Sequence, residues 1–383
     1  MSSLAESEAR ANARSSLVTW FCGRFLPVGS TGYKDSDQAV TEYSLPIAHR
    51  GIATWPQLPQ RSKIEGMNPS ILHHSEFGLD HDGDGGVVYN ENRFIEGGEL
   101  LTSPSGVDYH HDAAAGYDAF LRWAHDFPQV RLVKSHAASQ TSAFSTLKGA
   151  DASTTRSVLD SLSQAFSRGH LRRLRQAFPH AILMLSFDDP GGSATTIENL
   201  RTMFAPDDMR PAALRAHHDC SGGPYRELMT SGDVDMIHID EQFIPSLADG
   251  SSRKELRDYV HRNGLFNIGV IPNDYDALAR VAGRFRRPIK SMDKGDVRNN
   301  HVADTLARWM PDAADIVARR YKRAVGAIAR AGRISVQDIA DRSAVSGMCG
   351  MWELSDLRLQ RLALELADET SQRIRIANRL SLP

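Results

Sequence analysis

The chain has 383 residues, 41% of them hydrophobic, with 45 basic against 47 acidic side chains and a net charge of −2. That length buries a substantial core as one large α/β barrel or two ordinary domains, and the charge balance offers neither nucleic acid nor an anionic membrane surface an electrostatic reason to bind. Only Cys22, Cys220 and Cys349 occur, which excludes a disulfide framework and sets a reduced, cytoplasmic location and a small-molecule substrate as the expectation.

Residues 1–16 carry Arg10 and Arg14 among small and acidic residues with no apolar segment behind them, and read as a disordered N-terminal tail before a single domain over 17–383. Nothing approaches the roughly 18 to 20 apolar residues of a membrane span, since Leu17–Val28 is broken by Arg24 and Pro27. Eight β-like runs follow one another: Val18–Val28, Ile52–Trp55, Val130–Val133, Ile182–Phe187, Ala212–Ala216, Met236–Ile239, Phe266–Ile271 and Ala344–Val345. Each ends in residues with chemical potential, among them Gly29-Ser30, Lys134-Ser135-His136, Asp188-Asp189-Pro190, His217-His218, Asp240-Glu241 and Cys349. Helical patterns separate several of them, such as Ser157–Phe178 with Val158, Leu159, Leu162, Phe166 and Leu171 at helical spacing. Strand–helix alternation with polar strand ends is the arrangement of a (β/α)8 TIM barrel. The stretch of about 275–337 is too long for one connection and reads as an inserted helical element before the last strand, with Ala313–Ala331 its best helix. Its Arg319, Arg320, Lys322 and Arg323 read as a solvated face, and Ile334–Ser346 only superficially as a helix-turn-helix.

The chemistry concentrates in His218 and Cys220, followed by Asp240-Glu241 and then Cys349. Imidazole, two thiolates and a carboxylate make a zinc site, and ligands from distant chain segments can leave a position open for a substrate thiol. Alternation sets His238 and Asp240 on one face and Ile239 and Glu241 on the other, favouring Asp240 as the carboxylate with Glu241 as fallback. Asp80–Glu91 matches the spacing of a Ca²⁺ loop, but its flanks read as a hairpin, so a polar turn is expected over Ca²⁺ binding. His73-His74 and His110-His111 read as surface pairs, His136 as reaching the barrel mouth or making a structural hydrogen bond, and Trp55 as walling a substrate or packing.

The ordered set of motifs resembles the catalytic barrel of cobalamin-independent methionine synthase and its short relatives in the superfamily with uroporphyrinogen decarboxylase, over about residues 18–375. The motifs are Val28-Gly29-Ser30, Trp55-Pro56-Gln57-Leu58-Pro59-Gln60-Arg61-Ser62, Ser186-Phe187-Asp188-Asp189-Pro190-Gly191, His218-Asp219-Cys220, Ile237-His238-Ile239-Asp240 and Ser346-Gly347-Met348-Cys349-Gly350. The resemblance implies a Zn²⁺ held by His218, Cys220, Asp240 and Cys349 that keeps an acceptor thiol as thiolate for attack on an activated methyl group. It implies that Asp188, the catalytic candidate, and Ser30 grip the substrate, with Gly29, Gln57 and Arg61 beside them. Gln57 stands where the synthase has a Glu, and Asn273 lies in the segment where it has a His. A thiol other than homocysteine and a donor such as a corrinoid, free or on a corrinoid protein, are therefore expected rather than a folate donor. The competing expectations are an epoxide-to-thiol transferase of the coenzyme M kind, a metal-free decarboxylase of the porphyrinogen kind, and a non-catalytic zinc- or corrinoid-binding barrel.

Overall fold

Seven parallel strands, hydrogen-bonded in the order in which they occur along the chain, form the central sheet. They are β1 (Ile52–Thr54), β2 (Leu132–Ala138), β3 (Ile182–Asp189), β4 (Leu214–Asp219), β5 (Met236–Asp240), β6 (Leu265–Ile271) and β7 (Ser343–Gly347). The computed structural model describes residues 3–379 apart from 66, 85, 104, 128–129, 145, 190–196, 205–212, 249–251, 286–295 and 352–353; the Pro190-Gly191-Gly192 turn and Gly85 lie outside the described residues. Both faces of these strands are buried almost throughout, as parallel strands with helices packed against them must be.

The sheet curls into a half-barrel with an inner and an outer face. Inside, Ile52, Leu132, Met184, Leu214, Met236, Leu265 and Ala344 pack together with Leu17, Phe21 and Leu26. Outside, Leu183, Leu185, Ile237, Ile239 and Phe266 pack in the larger core under the helices. Two residues further along every strand but β4, where Ala216 extends the apolar layer, the inner face turns polar, with Thr54, Lys134, Ser186, His238, Asn267 and Ser346 all buried. Apolar packing thus ends about one layer below the C-terminal mouth, and the functional groups begin there.

The first β-like run is not a strand. Thr19 and Gly23 have positive φ (66° and 62°), which breaks the extended conformation, and Pro27 lacks a donor. The chain from Arg24 to Thr31 nevertheless bonds to both edges of the sheet. Leu26 N donates to Val345 O (2.9 Å) and Val345 N to Arg24 O (2.8 Å); Gln57 N donates to Gly29 O (3.1 Å) and Thr31 N to Gln57 O (2.9 Å). The eight-stranded barrel expected from sequence is therefore seven strands plus irregular extended chain.

The N-terminal residues also differ from expectation. Instead of a disordered tail they form α1 (Ser3–Leu17). Arg10 Nε and Nη2 donate to the two carboxylate oxygens of Asp235 at 3.0 and 2.9 Å, and Arg14 binds the same carboxylate. Asp235 is fully buried and also accepts from Arg215 N at 2.8 Å. The fork holds α1 at the N-terminal ends of β4 and β5, where Leu17 and Phe21 cover the inner apolar layer.

The long connection before β7 is helical where it is described, as α3 (Tyr275–Ala282), α4 (Asp296–Arg308) and α5 (Met310–Gly332), numbered after α2 (Ala152–Ala177). The last helix is α6 (Leu357–Arg379). The short helix Val336–Ala340 runs into β7 and not into a second helix, so no helix-turn-helix forms there. The Ca²⁺-like segment is an antiparallel hairpin of Leu79–His81 with Val87–Tyr89. Its carboxylates are spent on cations: Asp80 on Arg93 (2.7 Å), Asp84 on Lys63 (3.3 Å) and Asp82 on Lys148. His74, read as a surface residue, is buried, with Nδ1 3.1 Å from Glu76 Oε1. No described helix is long and apolar enough to cross a membrane.

Removing one member of a buried charge-assisted pair strands its partners, at a cost of about 3 kcal/mol or more. Asp235→Ala is accordingly expected to lower unfolding free energy by about 3 kcal/mol in a denaturant titration, far more than the exposed pair-breaking change Asp304→Ala at Arg358.

Candidate metal centre

Strand register assembles the site. Asp188 on β3 pairs with His218 on β4, and His218 with His238 on β5, so three ionisable side chains stand abreast on the inner face. Asp240 lies two residues beyond His238, opposite Gly269 of β6. Gly269 is required there, because a Cβ would collide with Asp240 Oδ1 and come within 3.0 Å of His238 Nε2. Cys220 follows the end of β4, where its backbone N still donates to Asp189 O (3.2 Å).

Cys349 arrives from the turn after β7. Met351 N donates to Ser30 O (2.7 Å), and Asn273 Nδ2 donates to Gly350 O (3.1 Å). Gly350 packs so close to Ser30 that a Cβ would lie 2.5 Å from the serine Cβ. The turn is thereby folded over the mouth, with Cys349 Sγ 3.4 Å from Cys220 Sγ. His218 Nε2 is 3.6 Å from Cys220 Sγ and 3.2 Å from Met348 O.

These spacings suit a tetrahedral ion. Bonds of about 2.3 Å to sulfur and 2.0 Å to nitrogen require S···S near 3.8 Å and S···N near 3.5 Å. His218, His238 and Asp240 also offer ligand atoms that all lie within 4.8 Å of one another, and the His218 and His238 rings stack with centroids 3.9 Å apart. His238 is the one donor that sequence reasoning left out of the ligand set, although alternation had already put it on the face of Asp240. Glu241, the fallback carboxylate, instead binds Arg320 at 2.5 Å. Arg320 lines a groove with Arg280, Arg284, Arg298, Arg319 and Arg323.

Among the described residues several buried atoms here have no well-aligned hydrogen bond: Asp188 Oδ2, His218 Nδ1, and His238 Nε2 and Asp240 Oδ1, which lie 3.2 Å from each other. Each such group costs about 1–3 kcal/mol if left unmade, and a bound cation would satisfy several at once. The protein lacking metal holds protons in their place. Burial, with the nearby Cys349 and Asp219 charges, pushes the Asp240 carboxyl up to about 8. Burial disfavours the charged form of His218, but its contact with Asp188 (Nδ1···Oδ2 3.9 Å) and the charges of Asp240 and Cys349 outweigh that and raise it to about 9. The two thiols share one proton: the hydrogen bond from Cys220 lowers Cys349, and Cys220 is raised.

Asp188 is ionised in spite of burial, held down by His218 and by the charge of Lys134. Ser186 Oγ donates to its Oδ1 (2.6 Å). Lys134 is itself buried, and Nζ donates to Pro27 O at 2.9 Å. Asp188 therefore faces the ring nitrogen of His218 opposite to the one turned toward the cysteines, the arrangement that orients metal-bound imidazoles.

The remaining sequence candidates are placed as follows. Ser30 Oγ donates to Gln57 Oε1 (2.7 Å), so those two are bound to each other, while Gln57 Nε2 stays unpartnered. Gly29, at φ 117°, lies against the His136 ring with no room for a Cβ. His136 stacks on Trp55 with centroids 4.4 Å apart, and burial lowers it to about 3. Arg61 pairs with buried Glu65 and contacts none of the cluster. Cys22 is remote, bonded to Asn378 (2.8 Å).

A Ser135–His170–Asp108 chain has the bond order of a hydrolytic triad, at 2.6 and 2.7 Å. Ser135 Oγ already accepts from Trp55 Nε1 (3.0 Å), and Ser135 and His170 are fully buried. A nucleophile without access to substrate is a strut, and this chain ties β2 to α2.

No protein-family model matches the chain, and no curated protein matches it. Among solved structures it is similar to a B12-independent methionine synthase from Shewanella sp. W3-18-1, solved in complex with selenomethionine. The identity is 13% and the TM-score 0.40, over 69% of this chain and 68% of that one. This is a distant likeness that carries no argument about activity, so the chemistry has to be argued from the residues.

Asp240→Asn is expected to lose tightly bound metal in elemental analysis, and Glu241→Gln to keep it. Loss with Glu241→Gln alone would reverse the assignment.

Proposed function

We propose that the protein is a zinc-dependent alkyltransferase, most directly a methyltransferase, that transfers an alkyl group to the sulfur of a small thiol. What supports this reading is Cys220 Sγ lying 3.4 Å from Cys349 Sγ and 3.6 Å from His218 Nε2, with His218 also grouped with His238 and Asp240, at the C-terminal mouth of a parallel sheet, where barrel enzymes keep their chemistry. His218, Cys220, Cys349 and Asp240 or His238 would hold a zinc ion, which when bound would supply Lewis-acid activation of a substrate thiol, the soft sulfur ligands preserving its nucleophilicity.

The chain's own residues supply the rest. Asp188 faces the His218 imidazole and orients it, and Lys134 offsets the charge of Asp188 within the buried polar layer. The Gly29-Ser30 loop, fixed by Gln57 and by the Met351 backbone, borders the space in front of the cysteines. In the transfer the sulfur lone pair forms the new S–C bond while the donor's leaving group departs with the C–X electron pair. The thiol proton is lost to solvent before that step.

The donor is a corrinoid-borne or otherwise activated alkyl group. Asn273 is committed to Gly350 O and offers no acid to a folate leaving amine, whereas proton transfer of that kind is worth about 10² to 10⁴ in rate. Gln57, bound to Ser30, brings no charge to meet an ammonium. A decarboxylase of the porphyrinogen kind needs no metal and leaves the paired cysteines without a role.

Purified protein is expected to contain about one zinc, and Cys220→Ser and Cys349→Ser each to lose metal and thiol alkylation while keeping the fold by circular dichroism. The screen offers a panel of thiols with methylcobalamin, methyltetrahydrofolate and epoxides and reads products by mass spectrometry. Efficient methionine formation from methyltetrahydrofolate and homocysteine would overturn the donor assignment, and absence of zinc after reconstitution would overturn the whole reading.

Ligands must shed their protons to bind metal. With Asp240 titrating near 8 and His218 near 9 in the metal-free protein, zinc affinity is expected to rise steadily from pH 6 to 9. The stability sign is opposite. An unfolded chain releases the Asp240 proton near 4, the folded chain retains it to about 8, and the folded state loses ground across that window. Metal-free Asp240→Asn is therefore expected to melt above the metal-free parent at pH 8 and level with it at pH 4.

A further inference from the structure

The same two strands carry a second group of donors on their outer face. Asp189 on β3 and His217 and Asp219 on β4 are all buried and offer ligand atoms that lie within 4.8 Å of one another. Strand alternation turns them away from Asp188 and His218, so the two clusters sit back to back.

Each of the three is oriented. His217 Nδ1 lies 3.0 Å from Phe187 O, to which it donates, which leaves the lone pair on Nε2. Among the described residues that Nε2 is buried without a hydrogen-bond partner, and its nearest acid, Asp189 Oδ2, is 3.7 Å away, too far for a hydrogen bond but close to the edge of a polyhedron built on bonds of about 2.1 Å. The carboxylates are gripped from behind through their other oxygens. Ser139 Oγ donates to Asp189 Oδ1, while Ser221 N (2.7 Å) and Oγ (2.5 Å) donate to Asp219 Oδ1. At Gly223 a Cβ would lie 3.5 Å from Asp219 Oδ2 and 3.7 Å from His217 Nε2, so these two atoms face one common spot that the glycine leaves uncrowded. The partly exposed turn at residues 221–224 gives that spot a path to solvent.

We propose that Asp189, His217 and Asp219 form a second cation site that takes a divalent first-row metal ion, one nitrogen and two carboxylates making it harder than the thiolate site and selective for Zn²⁺, Mn²⁺ or Fe²⁺ over softer ions. Its role is structural. It ties the ends of β3 and β4 on the outer face and so sets the spacing of Asp188, His218 and Cys220 on the inner one.

The test is a Co²⁺ titration of full-length, metal-stripped protein followed by absorption and equilibrium dialysis. Thiolate ligands give Co²⁺ an intense near-ultraviolet charge-transfer band, whereas a nitrogen–oxygen site gives only weak visible bands. The parent is expected to bind two equivalents, one with the band. His217→Gln and Asp219→Asn should bind one, with the band intact, and Cys349→Ser one, without the band and with melting temperature still raised by Co²⁺. Ser221→Ala, an exposed change that spares the fold, should weaken only the bandless equivalent, by about tenfold. A parent that stops at one banded equivalent overturns the second site and leaves the alkyltransferase reading standing. A bandless equivalent unaffected in His217→Gln, Asp219→Asn and Ser221→Ala also overturns it, and no Co²⁺ binding at all overturns both.

Discussion

Parallel register is the constraint on which the rest depends. Because Asp188, His218 and His238 are paired in one row across three strands, they share one face and cannot separate without breaking the ladder. The row sits in buried surroundings and concentrates unpartnered nitrogen and oxygen atoms that a purely structural interior would not keep. The apolar layer beneath, from Ile52 to Ala344, supplies the burial that offsets this. Function is thereby confined to one end of the sheet and stability to the other.

Gln57 and Asn273 both have structural employment. Gln57 holds Ser30, and Asn273 holds the turn bearing Cys349. Neither is simply a lost catalytic group. Both position the wall and the Cys349 turn of the mouth.

Much of the site was legible in the sequence, for a local reason. His218 and Cys220 are two residues apart at a strand end, and the two-residue alternation that sets Asp240 apart from Glu241 is a property of any strand. The partner of Glu241 was not legible, because Arg320 comes from a helix 79 positions away in the chain. The second donor cluster was hidden in the strand-end motifs: Asp189 and His217-Asp219 lie far apart in the chain, and only pairing of β3 with β4 brings them together. The helical insertion was readable from α5, whose Ala313, Val317, Tyr321 and Ala324 recur at helical spacing on a buried face. The first strand and α1 were not. Backbone reversals at Thr19 and Gly23 leave little trace in hydrophobicity, and the stability of α1 comes from Asp235, 225 residues beyond Arg10.

That last separation has a consequence for how the molecule comes into being. In synthesis Arg10 and Leu26 emerge long before the residues they bind, Asp235 and Val345. Leu17, Phe21 and Leu26 therefore stay without their inner-face partners until most of the chain has been made. Closing loops of that size makes assembly slow, and the early chain depends on protection from its neighbours. In exchange, a truncated product lacking the last strand cannot seat its own beginning, so incomplete chains remain open to proteolysis.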